Sequence, residues 1–335
     1  MFLKFLKNSL SITRSLILCL FTYILIPALS SVNAKDVIRI GSLQYGSVNW
    51  ELKLIKDLEL DLENNFKIEI VELASKNAAA VALQGGAVDI IVTDWFWVSR
   101  QRNEGRLFSF VPHSMAAGGL IVSKKSPIRS EVDLEGKKIG IAGGQVDKGW
   151  LIFRAYYKQQ YGKELKDLSR QIFGAPPLLN KKIEQDSFDA ILTYWPYQAK
   201  LLTNNNFTKV INITDILTKL ELPKGIPVIG WVFKDDWASS NNELLNKFLA
   251  TSKKTKKMML ESDEIWTKIR PFMNADSDQL FLNLRDIYRE GIPSKDFTIK
   301  QIDGSKKLYS ILAEIGGKEL VGRAEKLSPG TFWTK

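Results

Sequence analysis

The sequence predicts an α/β protein of two lobes, each a mainly parallel sheet flanked by helices, with two crossover strands as the hinge. Three observations carry this reading. Short apolar runs rich in β-branched residues alternate with amphipathic helical stretches in both halves, the signature of βαβ units. The pattern also repeats, because Val88-Asp89-Ile90-Ile91-Val92-Thr93-Asp94-Trp95 lies on Phe188-Asp189-Ala190-Ile191-Leu192-Thr193-Tyr194-Trp195 at an offset of 100. Asp, Ile, Thr and Trp are identical between the two segments. Finally, the alternation stops after residue 233, beyond which the chain reads as helical.

The elements follow in order. A strand over 37–43 leads to an amphipathic helix with Trp50, Leu54, Leu58 and Leu62 at intervals of four. A strand over 66–73 comes next, then a helix over 76–84 with Ser75 as its N-cap and Gly85-Gly86 as its stop. A strand over 87–93 completes this half. The second half reads as strand 138–142, helix 147–161, strand 171–173, a short helix, strand 190–193 and a helix start near Pro196. The same offset roughly pairs Ile38-Arg39-Ile40-Gly41 with Lys138-Ile139-Gly140-Ile141, and Trp50 with Trp150. Segments 118–123 and 225–233 are read as the two crossings, which places 35–123 plus 227–335 in lobe 1 and 124–226 in lobe 2. Closure is expected about 122–124 and 226–231. Helices over 241–260, 262–270, 276–289 and 300–315, with Gly316-Gly317 as a stop, have no sheet of their own and are expected on lobe 1. The run Lys253-Lys254-Thr255-Lys256-Lys257 is read as a solvated helix face.

Composition narrows the function. The 335 residues suit about two domains. Residues 1–34 read as a cleaved signal peptide, with Lys4, Lys7 and Arg14 ahead of an apolar run over 15–30. That run is short of the roughly 20 residues a spanning helix needs. Val32-Asn33-Ala34 supplies the cleavage site, and a periplasmic location follows as the expectation. Cleavage takes the net charge from +10 to +7 and removes Cys19, the only cysteine. On an exported chain this surplus suits a solvated surface near anionic membrane, and no nucleic-acid partner is expected. His113 is the only histidine. This near-absence of both His and Cys is read as excluding Ser-His-Asp and Cys-His catalysis, Cys/His zinc sites and a disulfide framework. The chain is read as a non-enzyme with no cofactor and no metal.

With an export signal, two α/β lobes and no catalytic constellation, the chain resembles periplasmic solute-binding proteins of ABC importers. Within that superfamily it is similar to the branch for nitrate, sulfonate, taurine and thiamine-pyrimidine precursors. Ala82-Leu83-Gln84-Gly85-Gly86-Ala87-Val88-Asp89-Ile90 resembles that branch's A-L-x-x-G-x-x-D approach to a cleft strand. Asp133-Leu134-Glu135-Gly136-Lys137-Lys138-Ile139-Gly140 resembles the D-L-x-G-K-x-I-G entry to the second lobe, and Phe188-Asp189-Ala190 precedes the second cleft strand. The likeness covers nearly all of 36–335. It implies capture of a small molecule between the lobes and delivery to a membrane permease with a cytoplasmic ATPase, by a monomeric protein. Some relatives of the fold make the thiamine pyrimidine from their own His with a Cys-rich motif. His113 without cysteine departs from that pattern. A ligand-sensing periplasmic domain and an enzyme of that thiamine-precursor kind remain the alternatives.

Four loops are expected to converge on the ligand. Gln44 and Tyr45 follow the first strand, Ser75 the second, and Thr93, Asp94, Tyr194 and Trp195 the duplicated strands. Gly143, Gly144 and Gln145 precede the helix near Asp147, where free backbone N–H groups and the helix end favour an anion. Trp95 and Trp195 are placed by the repeat on opposing walls, with Trp231 at a crossover. Facing aromatic planes suit a flat ring or a cation. Asp94 suits a positive or NH-rich group. The expected ligand is therefore a small organic solute with a planar or aromatic part and an acidic group such as sulfonate or carboxylate.

Overall fold

Alternating strands and helices build the first sheet in the computed structural model, which describes residues 36–44, 46–293 and 297–334. The signal-peptide reading (1–34) and Tyr45 lie outside the described residues. β1 (Asp36–Leu43) leads to α1 (Val48–Asp57) and the short α2 (Leu60–Glu63), then β2 (Phe66–Leu73), α3 (Lys76–Gly85), β3 (Ile90–Thr93), α4 (Trp95–Asn103) and β4 (Phe108–Ser114). β5 (Gly119–Ser123), β6 (Lys138–Ala142), α5 (Lys148–Tyr161), α6 (Leu165–Leu168), β7 (Arg170–Gly174), α7 (Pro176–Glu184), β8 (Ala190–Thr193), α8 (Trp195–Thr203), β9 (Phe207–Asn212) and α9 (Ile213–Lys219) follow. β10 (Ile229–Lys234) precedes α10 (Asp235–Ser240), α11 (Asn242–Glu261), α12 (Asp263–Ile269), α13 (Asp278–Glu290) and α14 (Ile299–Val321).

Both sheets are five-stranded and mixed, ordered β2-β1-β3-β10-β4 and β7-β6-β8-β5-β9. β1 runs parallel to β3 and β6 parallel to β7 and β8, while β10 and β5 run antiparallel to both neighbours. The order is the same in each. The offset of 100 persists in three dimensions, because α1 and α5 start at 48 and 148, α3 and α7 at 76 and 176, and α4 and α8 at 95 and 195. Even a tertiary contact is repeated. Asp89 Oδ2 accepts from the Arg39 amide at 2.8 Å, and Asp189 Oδ2 accepts from the Lys138 amide at 2.8 Å.

The structure corrects three expectations. Segment 118–123 does not belong to the first lobe, since β5 pairs from Gly119↔Thr193 to Val122↔Ala190 in the second sheet. Gly119 permits this close approach, for a Cβ there would sit 2.4 Å from the Ile211 carbonyl oxygen. β10 likewise pairs wholly within the first sheet. The chain therefore passes between the sheets at 115–118 and 220–228, so the expected 122–124 falls at the end of β5 and just past it, and of the expected 226–231 only 226–228 lies in a crossing. The C-terminal helices, in turn, do not keep to the first sheet. α11 and α12 pack on α1, but α13 packs on α8, and α14 packs on both α4 and α5. Leu280, Phe281, Leu284 and Tyr288 form the buried stripe of α13, and Leu308, Tyr309 and Leu312 that of α14. Those apolar stripes find partners on both sides. Gly317 breaks the helical backbone where a stop is expected (φ 56°, ψ −156°), yet helix resumes to Val321. Residues from Val37 onward thus form one compact unit.

Replacing Gly119 by Ala drives a methyl into backbone. We expect a loss of about 1–3 kcal/mol, seen as a melting temperature lower by several degrees. Gly85→Ala, whose new methyl meets nothing within 4 Å, is expected to be neutral or mildly stabilising in the same thermal melt.

Candidate ligand cleft

Charged side chains from both sheets meet where β3, β6 and β8 end. Asp94 follows β3 and caps α4, its Oδ1 accepting from the Trp97 amide at 3.0 Å. Its Oδ2 lies 3.0 Å from Nζ of Lys148, in the first turn of α5 on the other sheet. Asp147 caps α5 through Oδ1, accepting from the Gly149 amide at 2.9 Å and the Trp150 amide at 3.4 Å. Its Oδ2 accepts from the Tyr194 hydroxyl at 2.9 Å. Nζ of Lys76, the first residue of α3, stands 5.7 Å from the Tyr194 ring centroid. Local sequence explains the placement, because a short carboxylate just before a helix satisfies its free N–H groups. Gly143 is required as well. Its φ is +90°, and a Cβ there would lie 2.7 Å from the Tyr194 hydroxyl and 3.1 Å from Asp147 Oδ2.

The two carboxylates are pushed in opposite directions. Burial alone would raise Asp94, but Lys148, Lys76 and the Trp97 amide hold it below the usual carboxylate range. Burial raises Asp147 above that range, and Tyr194, Lys76 and Lys148 offset it only in part. Tyr194 is raised by its own burial and by Asp147. Opposed shifts within one site are a feature of functional clefts.

Of the expected residues, the structure brings Asp94, Tyr194 and Gly143 together. Ser75 is exposed and caps α3 beside Lys76, accepting from the Ala78 amide at 3.1 Å. Gly144 and Gln145 are exposed in the loop before Asp147, and Gln44 is exposed where its amide donates to the Leu73 carbonyl at 3.2 Å. Thr93 pairs with Gly230 in the first sheet. The anion site expected at Gly143-Gly144 is corrected, because the Asp147 carboxylate already occupies the end of α5.

The tryptophans are the largest correction. Trp95 and Trp195 do not face each other, and lie in separate apolar clusters. Trp95 is 2% exposed, donates from Nε1 to the Pro227 carbonyl at 3.0 Å and stacks on Phe96 at 4.0 Å. Trp195 is 8% exposed and meets Trp50 edge-on at 5.8 Å and Tyr288 at 6.3 Å. Trp231 is buried in the first sheet, donating from Nε1 to Ser252 Oγ at 3.3 Å. The rings form two related clasps instead. Trp50, Trp195 and Tyr288 of α13 make one, and Trp150 and Trp95 share a cluster with Tyr309 of α14 in the other. Each clasp joins elements of both sheets to a C-terminal helix.

Lys76, Asp147 and Lys148 were not among the expected ligand residues. Their sequence signal is positional, as each sits at a helix start within a cleft loop. Among the described residues, no group of three or more His, Cys, Asp or Glu is placed to hold a metal ion. Gly143→Ala is expected to cost about 1–3 kcal/mol through its positive φ and the displaced Tyr194–Asp147 pair. Gly144→Ala, where the methyl meets nothing within 4 Å, is expected to melt like the parent.

The comparisons agree with this architecture. The chain is similar in fold to the periplasmic aliphatic sulphonate binding protein SsuA from Escherichia coli (17% identity, 89% of this chain and 92% of that chain covered, TM-score 0.71). The alkanesulfonate-binding protein SsuA from Xanthomonas axonopodis pv. citri, bound to MOPS, is similar at 15% identity (89% and 98% covered, TM-score 0.65). The Candida albicans CA3427 gene product, described as having the generic periplasmic binding protein structural fold, matches at 11% identity (90% and 98% covered, TM-score 0.60). No curated protein matches in sequence. The family model described as NMT1/THI5 like matches residues 62–264, and the chain belongs to that family.

Proposed function

We propose that the chain is the solute-binding component of an ABC importer, capturing a small organic acid between two lobes in the periplasm. The observation that carries this is the convergence of Lys76 and Asp94 from the first sheet with Asp147, Lys148 and Tyr194 from the second. A site assembled from both lobes exists only when they close, so closure and capture are one event. The lobes rotate about 115–118 and 220–228, and the closed form is delivered to a membrane permease with its cytoplasmic ATPase. Residues 1–34 direct export. A sulfonate or carboxylate takes Asp94's place beside Lys148, with Lys76 as its second cation. The printed ligand classes of the two SsuA proteins support an acidic organic solute. A planar part of the ligand is not required, since the aromatic rings are engaged in the clasps. We read capture and not turnover because Tyr194, the hydroxyl paired with Asp147 in the cleft cluster, is pushed far above its ordinary value by burial and by that carboxylate, and His113 is buried against Glu51.

Thermal melting of residues 35–335, one compact unit from Val37 onward, tests this. The panel holds alkanesulfonates, taurine, aromatic carboxylates, thiamine pyrimidines, nitrate and quaternary amines. An organic acid at 100 times its dissociation constant should stabilise by about 2.7 kcal/mol, a shift of a few degrees. Lys148→Met should weaken that ligand at least about tenfold, the scale of one lost charge-assisted hydrogen bond. No shift with any member would overturn the reading. A shift with quaternary amines alone would overturn the acidic ligand class.

A further inference from the structure

The basic run in α11 is not wholly solvated. Lys253, Lys254 and Lys257 are exposed, but Lys256 turns inward with its side chain 9% exposed. Its Nζ donates to the His113 carbonyl at 2.6 Å and lies 3.6 Å from Oε2 of Glu51, which is fully buried on α1. His113 Nε2, from β4, lies 3.0 Å from the same Oε2. Ser252 donates to Glu51 Oε1. Trp231 of β10 meets the His113 ring edge-on at 4.7 Å. The Tyr288 hydroxyl of α13 also faces Glu51. His113, Lys256, Ser252 and Tyr288 therefore all converge on one fully buried carboxylate. A change of charge among groups this buried is costly, so the cluster's protonation depends on its surroundings.

Those surroundings are the first clasp. Glu51 is the chain neighbour of Trp50, and Tyr288 packs on Trp50 at 5.7 Å and on Trp266 at 5.3 Å. These rings form the socket that receives Trp195 from the second sheet. We propose that Glu51, His113 and Lys256 are a proton-sensitive brace beneath the Trp195 socket, so that acidification releases the two lobes from their closed arrangement. The inference rests on the closure reading above.

The direction follows from the groups facing one another. Burial lowers His113, Lys256 lowers it further, and Glu51 only partly restores it. Burial would raise Glu51, but Lys256, His113 and Ser252 bring it to about 2. Burial lowers Lys256 against the pull of Glu51. Tyr288 is raised by burial and by Glu51, and β10 contributes only the uncharged Trp231. All three brace groups therefore bind protons less readily when closed than when hydrated. Withdrawing Trp195 uncovers the socket to water and restores their proton affinity. The open form then gains as pH falls below the ordinary histidine value of about 6.5.

The experiment uses Val81→Cys and Leu178→Cys, exposed positions on α3 and α7, in residues 35–335, with a spin label at each. Pulsed dipolar distances are recorded from pH 7.5 to 5.0. His113 is the only histidine, so its ring proton signal reports its titration without overlap. A longer distance should grow in on acidification with the midpoint of the His113 titration, and His113→Gln should abolish it. Lys256→Met, the second variant, removes a cation that lowers His113, and should move both midpoints to higher pH. Distances that ignore pH, or a shift unaltered in both variants, would overturn the brace. Distances that shorten with a panel ligand but ignore pH sink the brace alone. Distances that respond to neither ligand nor pH sink the closure reading itself.

Discussion

Two tryptophans at the first positions of α4 and α8 decide how the rest of the molecule is arranged. Trp195 packs across the sheets against Trp50, and Trp95 packs on Phe96 and Phe332 in a cluster that also holds Trp150. Each is held there by a tyrosine from a C-terminal helix, Tyr288 for Trp195 and Tyr309 for Trp95. Burying such a ring removes about 150–250 Å² from water, worth about 4–6 kcal/mol at 25 cal/mol per Å². The Asp94–Lys148 pair also joins the two sheets, but Lys148 is one-third exposed. Partly exposed pairs contribute about 0–1 kcal/mol. Packing therefore carries the joined arrangement, and the ion pair is left free to exchange partners. That division is the one the proposed closure on an acidic ligand requires.

The site appears where the two halves stop being alike. Backbone positions match across the offset of 100, as do the paired Asp89 and Asp189 contacts. Side chains diverge in the cleft. Asp94 corresponds to Tyr194, Ser47 to Asp147, and Val48 to Lys148. One half supplies a carboxylate held ionised by two lysines, and the other a carboxylate raised by burial against a phenol. A symmetric fold thus presents an asymmetric pocket. Both aspartates cap the helices they precede through Oδ1 and meet Lys148 or Tyr194 through Oδ2, so one carboxylate both positions a helix and sets charge in the cleft.

Much of this was legible in the sequence. The repeat, the βαβ alternation and helix starts at 76, near 147 and near 196 rest on local signals, whereas the helix at 95, read as a loop, and the start at 176 do not, and Asp94, Tyr194 and Gly143 lie in loops that converge. What failed depended on distant partners. Nothing near Trp95 or Trp195 states which way a ring at a helix start will turn, because Tyr309 and Tyr288 arrive far along the chain. The membership of β5 depends on pairing with β8 and β9, which its own apolar run does not encode. Glu51, His113 and Lys256 come from three separate elements, and none carries a local mark of burial. Lys256 was hidden inside a basic run whose other lysines are solvated.

The clasp is the central claim, and a double-mutant cycle on Trp50 and Trp195 tests it most directly. Stability of Trp50→Ala, Trp195→Ala and the double variant would be measured by denaturant unfolding. The account predicts that the two losses are not additive, with a coupling of about 0.5–1.5 kcal/mol for an edge-on aromatic pair across the sheets. Losses that add within about 0.3 kcal/mol would mean that the rings do not hold the two sheets together.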